Sequence, residues 1–141
     1  DFRICASHAT LAFHETNYAC FPGAGAPVRL PSIIGAGRAL EIIATGREID
    51  AAEMLRIGFV TSIVAPPQLC ATVETIAAQI AAKSPLGVTG AKRIVQMQTK
   101  CGTEAAHRLS WALRTSLEYS YDVDEAINAY RERRTATYLG R

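Results

Sequence analysis

The sequence predicts an α/β fold with strands at the front and helices behind, and three observations point to it. Two short apolar segments, Phe2 to Ala6 and Thr10 to Phe13, flank Ser7-His8-Ala9 near the start. A compact β-branched run, Phe59-Val60-Thr61-Ser62-Ile63-Val64, follows two glycine-stopped helical stretches. From Pro66 onward apolar residues recur at helical spacing and strand signal disappears. The chain therefore divides into a strand-bearing region, residues 1–65, and a helical region, residues 66–141.

Taken in order, Phe2 to Ala6 and Thr10 to Phe13 read as strands with a tight connection. Gly23, Gly25 and Pro27 make a turn, and Leu30 to Ile34 starts a short helix. Ala36 to Thr45 is a stronger helix, ended by Gly46 in the favoured position after the last turn. Asp50-Ala51-Ala52-Glu53 has capping-box spacing: Asp50 should accept a free backbone N–H, and Glu53 should reach back to the cap. The helix it opens stops at Gly58, and Phe59 to Val64 forms a further strand that Pro66-Pro67 closes.

A long helix then runs through Lys83, and Ser84-Pro85 opens the next, from about Leu86 toward Lys100. Serine at the cap accepts a free N–H, and proline in the first turn loses nothing by lacking its own. Gly87 and Gly90 weaken this helix somewhat. Thr103 is placed to cap another, with Ala106, Leu109, Trp111, Leu113 and Leu117 on its apolar face; that stripe reads as core or subunit interface rather than a cofactor box. Asp122 or Asp124 can open the last, which carries Ala126, Ile127 and Tyr130.

Composition narrows the function. A chain of 141 residues, 49% hydrophobic and 20% charged, suits one core. The formal charge of +2 arises from 15 basic and 13 acidic residues spread along the length, so no polybasic block marks a nucleic-acid partner and a small-molecule ligand is expected. No apolar run approaches the roughly 20 residues of a membrane span, and no signal peptide is visible, so no membrane partner is expected. Cys5, Cys20, Cys70 and Cys101 show no metal-binding spacing and read as reduced, mostly buried thiols in a soluble, cytoplasmic setting. His8, His14 and His107 have no partner at metal or triad spacing and read as structural or exposed; no metal is expected.

Chemistry concentrates between Phe13 and Pro31. Glu15 ends the apolar stretch Leu11-Ala12-Phe13 and precedes the turn Pro22-Gly23-Ala24-Gly25. A carboxyl drawn toward low dielectric is suited to general acid or base work near neutral pH. Spacing alone favours instead a solvated glutamate at a strand end, or one paired with Arg29. The glycine turn could cradle a phosphate, but without a G-x-G-x-x-G strand turn or a P-loop lysine it reads better as a bend that positions Glu15 and lets substrate approach the backbone at Pro22 and Gly23.

Several separated motifs in fixed order resemble the enoyl-CoA hydratase/isomerase, or crotonase, superfamily. They are the paired apolar segments before Glu15, the Pro22-Gly23-Ala24-Gly25 turn with Arg29-Leu30-Pro31, then Gly35, Arg38-Ala39, and Thr45-Gly46-Arg47-Glu48-Ile49-Asp50-Ala51-Ala52-Glu53. Gly58-Phe59-Val60, Ser84-Pro85 with Lys92, and Ala129-Tyr130-Arg131-Glu132-Arg133-Arg134 complete them. The resemblance covers nearly all of the chain and corresponds to the C-terminal half of the family pattern. It implies the last strands of a crotonase-like spiral of ββα units, followed by helices that trimerise.

The resemblance further implies action on acyl-CoA thioesters through an enolate stabilised by two backbone N–H groups, with no cofactor beyond the coenzyme A of the substrate. It makes Glu15 the residue that moves a proton to or from substrate carbon, and hydration of a 2-enoyl-CoA the expected reaction. It places Tyr130 and Arg133 where an aromatic and a basic residue reach from the last helix of one subunit toward the CoA of another, within a homotrimer or hexamer. The second glutamate of hydratases, both oxyanion peptides and most of the CoA loop belong to the N-terminal half of the pattern. A chain that starts at Asp1 without methionine, in what reads as a strand already under way, is therefore expected to be a truncated form, inactive alone and with unpaired strand edges.

Alternatives implied by the same resemblance are an isomerase using a single glutamate and a noncatalytic CoA-ester-binding or assembly module. Ala26-Pro27-Val28 replaces the family's usual Gly-Thr-Gln, and His14 stands where proline is common. Gly23 sits where the dienoyl-CoA isomerase branch places a second acid, which disfavours that branch.

Overall fold

The short strands pair across long stretches of chain, in two small two-stranded sheets. The computed structural model describes residues 1–141 and forms two compact units, Asp1–Glu74 and Thr75–Arg141. In the first, β1 (Ile4–Ala6) runs parallel to β4 (Ser62–Val64), with Ile4 opposite Ser62 and Ala6 opposite Val64. Thr61 extends the pairing, its N–H and hydroxyl both donating to the Arg3 carbonyl at 2.7 and 2.9 Å. β2 (Thr10–Leu11) runs antiparallel to β3 (Ile49–Asp50), with Thr10 opposite Asp50.

The first two strands thus do not pair with each other. The turn at Ser7 and His8 carries the chain from one sheet to the other, and both strands are shorter than their apolar segments. The second ends at Leu11, so Glu15 does not lie on a strand; it begins a single 3-10 turn, Glu15–Tyr18.

α1 (Ala26–Ile34) starts earlier than its sequence suggests, with Gly25 at its cap, Pro27 in the first turn, and Pro31 inside, at the cost of one backbone bond. α2 (Ala36–Thr45) stops at Gly46 as its glycine predicts. α3 (Ala51–Arg56) is opened by Asp50, which accepts the Glu53 N–H at 2.7 Å. Glu53 does not reach back to the cap: both its oxygens are taken by Arg47 at 2.8 Å, and Arg56 adds a contact at 3.2 Å. A bidentate charged pair outcompetes a single bond to a neutral amide.

On α2, Ala39, Ile42 and Ile43 share one face and are buried, while Arg38, Leu40 and Glu41 are exposed. That face meets Leu30 and Ile34 of α1, Ile49, Met54 of α3, Ile57 and Val60 in one core. Each fully buried side chain of this size contributes about 1.5 to 3 kcal/mol. Ile42 is 1% exposed and Leu40 67%. Ile42→Ala is therefore expected to destabilise by about 2 to 5 kcal/mol, against less than about 0.5 kcal/mol for Leu40→Ala. Urea unfolding checks this; equal effects at the two sites would contradict the burial pattern.

After a 3-10 turn at Pro66–Gln68, α4 (Leu69–Ala81) carries the chain from one unit into the other. α5 (Pro85–Glu118) is capped by Ser84, whose oxygen accepts the Gly87 N–H at 3.4 Å. It is broken at Gly102 (φ 83°, ψ 179°), a backbone conformation glycine adopts at little cost, so two rods meet where the sequence separates Lys100 from Thr103. Thr103 makes no cap; its hydroxyl accepts from the Gln98 amide at 3.3 Å. Trp111 is 69% exposed, so it is not a core residue of this chain.

α6 (Tyr121–Glu132) is opened by Ser120, which accepts the Val123 N–H at 3.3 Å, and not by Asp122 or Asp124. Asp122 is occupied elsewhere: it is 1% exposed and accepts from the Ser84 hydroxyl at 2.8 Å and from the N–H groups of Leu139 and Gly140 at 2.8 and 3.1 Å. Glu125 binds Arg134 through both oxygens, at 2.5 and 2.8 Å, and accepts the Thr137 N–H at 2.8 Å. Two carboxylates one helical turn apart therefore strap the C-terminal tail to α6.

The cysteines are all free, but their burial differs from expectation. Cys5 is half-buried, while Cys20, Cys70 and Cys101 are exposed, because the last three sit in a loop, in the first turn of α4 and beside the Gly102 break. His8, His14 and His107 are exposed.

Candidate active site

Glu15 owes its position to what precedes and follows it. β2 is held to β3 through Thr10 and Leu11, and the chain leaves it through half-buried Ala12 and Phe13. His14 caps the 3-10 turn with helical backbone and no side-chain bond, and its carbonyl accepts the Asn17 N–H at 3.0 Å. The Glu15 carbonyl accepts the Cys20 N–H at 3.1 Å, and Ala19 closes the turn at φ 56°.

One carboxylate oxygen of Glu15, Oε2, is buried and meets no hydrogen-bond donor. Such an acceptor typically costs about 1 to 3 kcal/mol, and folds keep few of them. Arg29 is not its partner: its Nη2 donates to the Ala24 carbonyl at 2.6 Å, and the guanidinium covers Gly25, where an added Cβ would lie 3.3 Å from Nε. The arginine therefore closes the glycine turn on itself. Of the two alternatives left open by spacing, a solvated carboxylate and an Arg29 pair, neither describes the buried oxygen.

The other sequence-predicted residues fall in two places. Pro22 is buried and Gly23 exposed in the loop between the Glu15 turn and α1, in the same compact unit as Glu15. A Cβ on Gly23 would meet nothing within 4 Å, so the position is open toward its surroundings. Tyr130 and Arg133 belong to the other unit. Tyr130 is 86% exposed near the end of α6, and exposed Arg133 sits beyond its last turn at φ 55°.

A second polar group escaped the sequence reading. A cleft of about 310 Å³ is lined by Arg38, Glu41, Ile42, Arg47, Glu53, Arg56 and Ile57. Within it Arg47 joins Glu41 at 2.8 Å to Glu53 at 2.8 Å, and the Arg47 guanidinium holds the Glu53 carboxyl below its ordinary range against the desolvation that would raise it. Arg47 and Glu53 flank the Asp50 cap, and their opposite charges were the available signal. Each of the three guanidinium nitrogens of Arg47 donates within this network, which braces the α2 to α3 connection. No group of three or more His, Cys, Asp or Glu is placed to hold a metal ion, and no helix is long and apolar enough to cross a membrane.

Fold and site together define an α/β protein with one buried carboxylate oxygen in a turn that precedes a glycine-rich bend in the chain. The chain belongs to the enoyl-CoA hydratase/isomerase family, whose sequence profile matches residues 1–141. It is similar to YngF of Bacillus subtilis, 35% identical over 140 residues that cover 99% of this chain and 54% of the relative. A carnitinyl-CoA dehydratase of Salmonella arizonae is 32% identical over 144 residues, covering 99% and 55%. The crystal structure of an enoyl-CoA hydratase from Bacillus anthracis superposes with a TM-score of 0.94 at 35% identity, covering 100% of this chain and 55% of the other. The fold is thus crotonase-like, and the chain spans about half the length of the relatives it matches.

Proposed function

We propose that this chain supplies the proton-transfer residue of an enzyme that acts on acyl-CoA thioesters through a stabilised enolate, and that the reaction is hydration of a 2-enoyl-CoA. The observation that carries this reading is the buried, donor-free Oε2 of Glu15 in a chain of the enoyl-CoA hydratase/isomerase family. A carboxyl so placed can pass a proton to the carbon beside the thioester as the enolate collapses, and recover one from water. Pro22 and Gly23 line the approach of the acyl group, with no side chain at Gly23 to obstruct it. The similarity to relatives named as a hydratase and a dehydratase supports addition or loss of water over other enolate chemistry.

In the same proposal the helical region, residues 66–141, serves assembly into a homotrimer or hexamer, in which Tyr130 and Arg133 of one subunit reach the CoA of another. Their exposure leaves both free to do so: a tyrosine face can stack on adenine and a guanidinium can grip phosphate. Light scattering on the full-length gene product is expected to give the mass of a trimer or hexamer, and a monomer at micromolar concentration would contradict the assembly. The catalytic reading is tested by incubating that product with crotonyl-CoA and following loss of the conjugated enoyl thioester absorbance. Steady loss with formation of the 3-hydroxyacyl thioester supports it; folded protein that binds the thioester without turnover would overturn it.

A further inference from the structure

A four-residue 3-10 turn has little stability of its own, so the direction of the Glu15 side chain must be set by what the turn is attached to. The attachment is specific. The Thr16 hydroxyl donates to the carbonyl of Ile43 at 3.2 Å, across a separation of 27 residues. That carbonyl lies in the last turn of α2, where the helix cannot supply an N–H, because the chain turns away at Gly46 after one final bond from the Gly46 N–H to Ile42 at 3.1 Å. Ile43 is buried, so its carbonyl needs a partner from the protein. Thr16 satisfies the end of α2, and the end of α2 fixes the turn that carries Glu15.

Gly46 makes the approach possible. Its φ of +61° suits glycine, and a Cβ there would lie 3.2 Å from the Phe13 carbonyl and 3.5 Å from the Asn17 amide nitrogen, on either side of Glu15 in the chain. The segment from Phe13 to Asn17 is therefore held against the end of α2 by one side-chain hydrogen bond and one close backbone approach. His14 is exposed and contributes no side-chain cap.

We infer that Thr16 is a positioning residue for proton transfer: by bonding the last-turn carbonyl of α2, it sets the aim of the Glu15 carboxylate. This rests on the reading of Glu15 as the proton-transfer group. The Thr16 hydroxyl is committed to the Ile43 carbonyl, so in this inference it acts only through the residue beside it. Loss of the hydroxyl at nearly constant volume frees the turn to shift, and displacement of a reacting group by an ångström can cost on the order of 100-fold in rate.

The test is steady-state kinetics on the full-length gene product with crotonyl-CoA, comparing Thr16→Val, Thr16→Ser and Glu15→Gln, with thermal melting as the check on folding. Thr16→Val is expected to lower kcat by roughly 10- to 100-fold with KM changed less than about three-fold, while Thr16→Ser stays within about three-fold of the parent. In the Glu15→Gln background Thr16→Val should cost almost nothing more, since its effect passes through the missing acid. Unchanged kcat in Thr16→Val, or an equal further loss in the Glu15→Gln background, would overturn the inference. If Thr16→Val does not fold, Thr16→Cys is read in its place by the same criteria. Failure of the underlying reading is distinguishable: it shows as full turnover by Glu15→Gln, whatever Thr16→Val does.

Discussion

Replacing Glu15 by glutamine in the full-length gene product is expected, on the proposed function, to lower kcat for 2-enoyl-CoA hydration by roughly 100- to 10,000-fold, the range general acid–base groups supply. This corresponds to about 3 to 5 kcal/mol of transition-state stabilisation. Glutamine keeps the volume and one carbonyl oxygen but carries no transferable proton. The half-buried site accepts it, because Oε2 has no partner for the amide to disrupt. KM should therefore stay within about three-fold, the pattern of a group used in the transition state rather than in binding. Kinetics with crotonyl-CoA, together with direct thioester binding by calorimetry, measure both halves. A comparable rise in KM with kcat unchanged would make Glu15 a binding residue and exclude it from proton transfer.

The second large effect is on stability in acid. Arg134 first, and then the Thr137 N–H, hold the Glu125 carboxyl at about 2, down from 4.5, against the desolvation that would raise it. For Asp122, burial pushes the carboxyl up, but the Ser84 hydroxyl and the N–H groups of Leu139 and Gly140 outweigh it and leave it below its ordinary value. A carboxyl with a lower pKa folded than unfolded binds more protons in the unfolded chain. Its contribution to stability is complete above the unfolded value near 4.5 and is lost as pH falls toward the folded value of about 2.

Melting temperature is thus expected to fall steeply below about pH 4.5, with release of the C-terminal tail from α6. Glu125→Gln removes part of that slope and lowers stability at neutral pH, where Arg134 loses its bidentate partner. Asp122→Asn acts in the same direction through Ser84 and the tail amides. Melting curves from pH 7 to pH 2.5 on parent and variants check this. An unchanged slope in Glu125→Gln would mean that the strap does not govern acid unfolding.

What could be read from the sequence was whatever is decided within a few residues. Gly46 ends α2, Asp50 caps α3, Ser84-Pro85 opens α5, and the break between Lys100 and Thr103 falls at Gly102, each by backbone chemistry local to the position. What could not be read depends on partners distant in the chain. β1 pairs with β4 across more than fifty residues, so its neighbour could not be inferred from its own apolar run. Glu53 is diverted from its cap by Arg47, and Asp122 from its own by Ser84 and the tail.

The site divides in the same way. Spacing by itself does not single out Glu15, since a solvated or Arg29-paired glutamate fits it better; the role proposed for Glu15 comes from the family resemblance, and the residue begins a 3-10 turn rather than ending a strand. The role inferred for Thr16 is not legible in the sequence, since it depends on the carbonyl of Ile43, in another helix. Its only sequence signal is a hydroxyl beside the acid. Pro22 is buried and Gly23 unobstructed, which suits the approach proposed for them. Tyr130 and Arg133 depend on a partner subunit for their proposed role.

Solvent deuterium incorporation at the carbon adjacent to the thioester, followed by proton NMR while the full-length gene product converts crotonyl-CoA in D2O, tests the Glu15 assignment most directly. The account predicts rapid labelling at that carbon by the parent protein and labelling slower by at least about 100-fold in Glu15→Gln. Equal labelling rates in the two would contradict it, since the proton would then reach carbon from some other group.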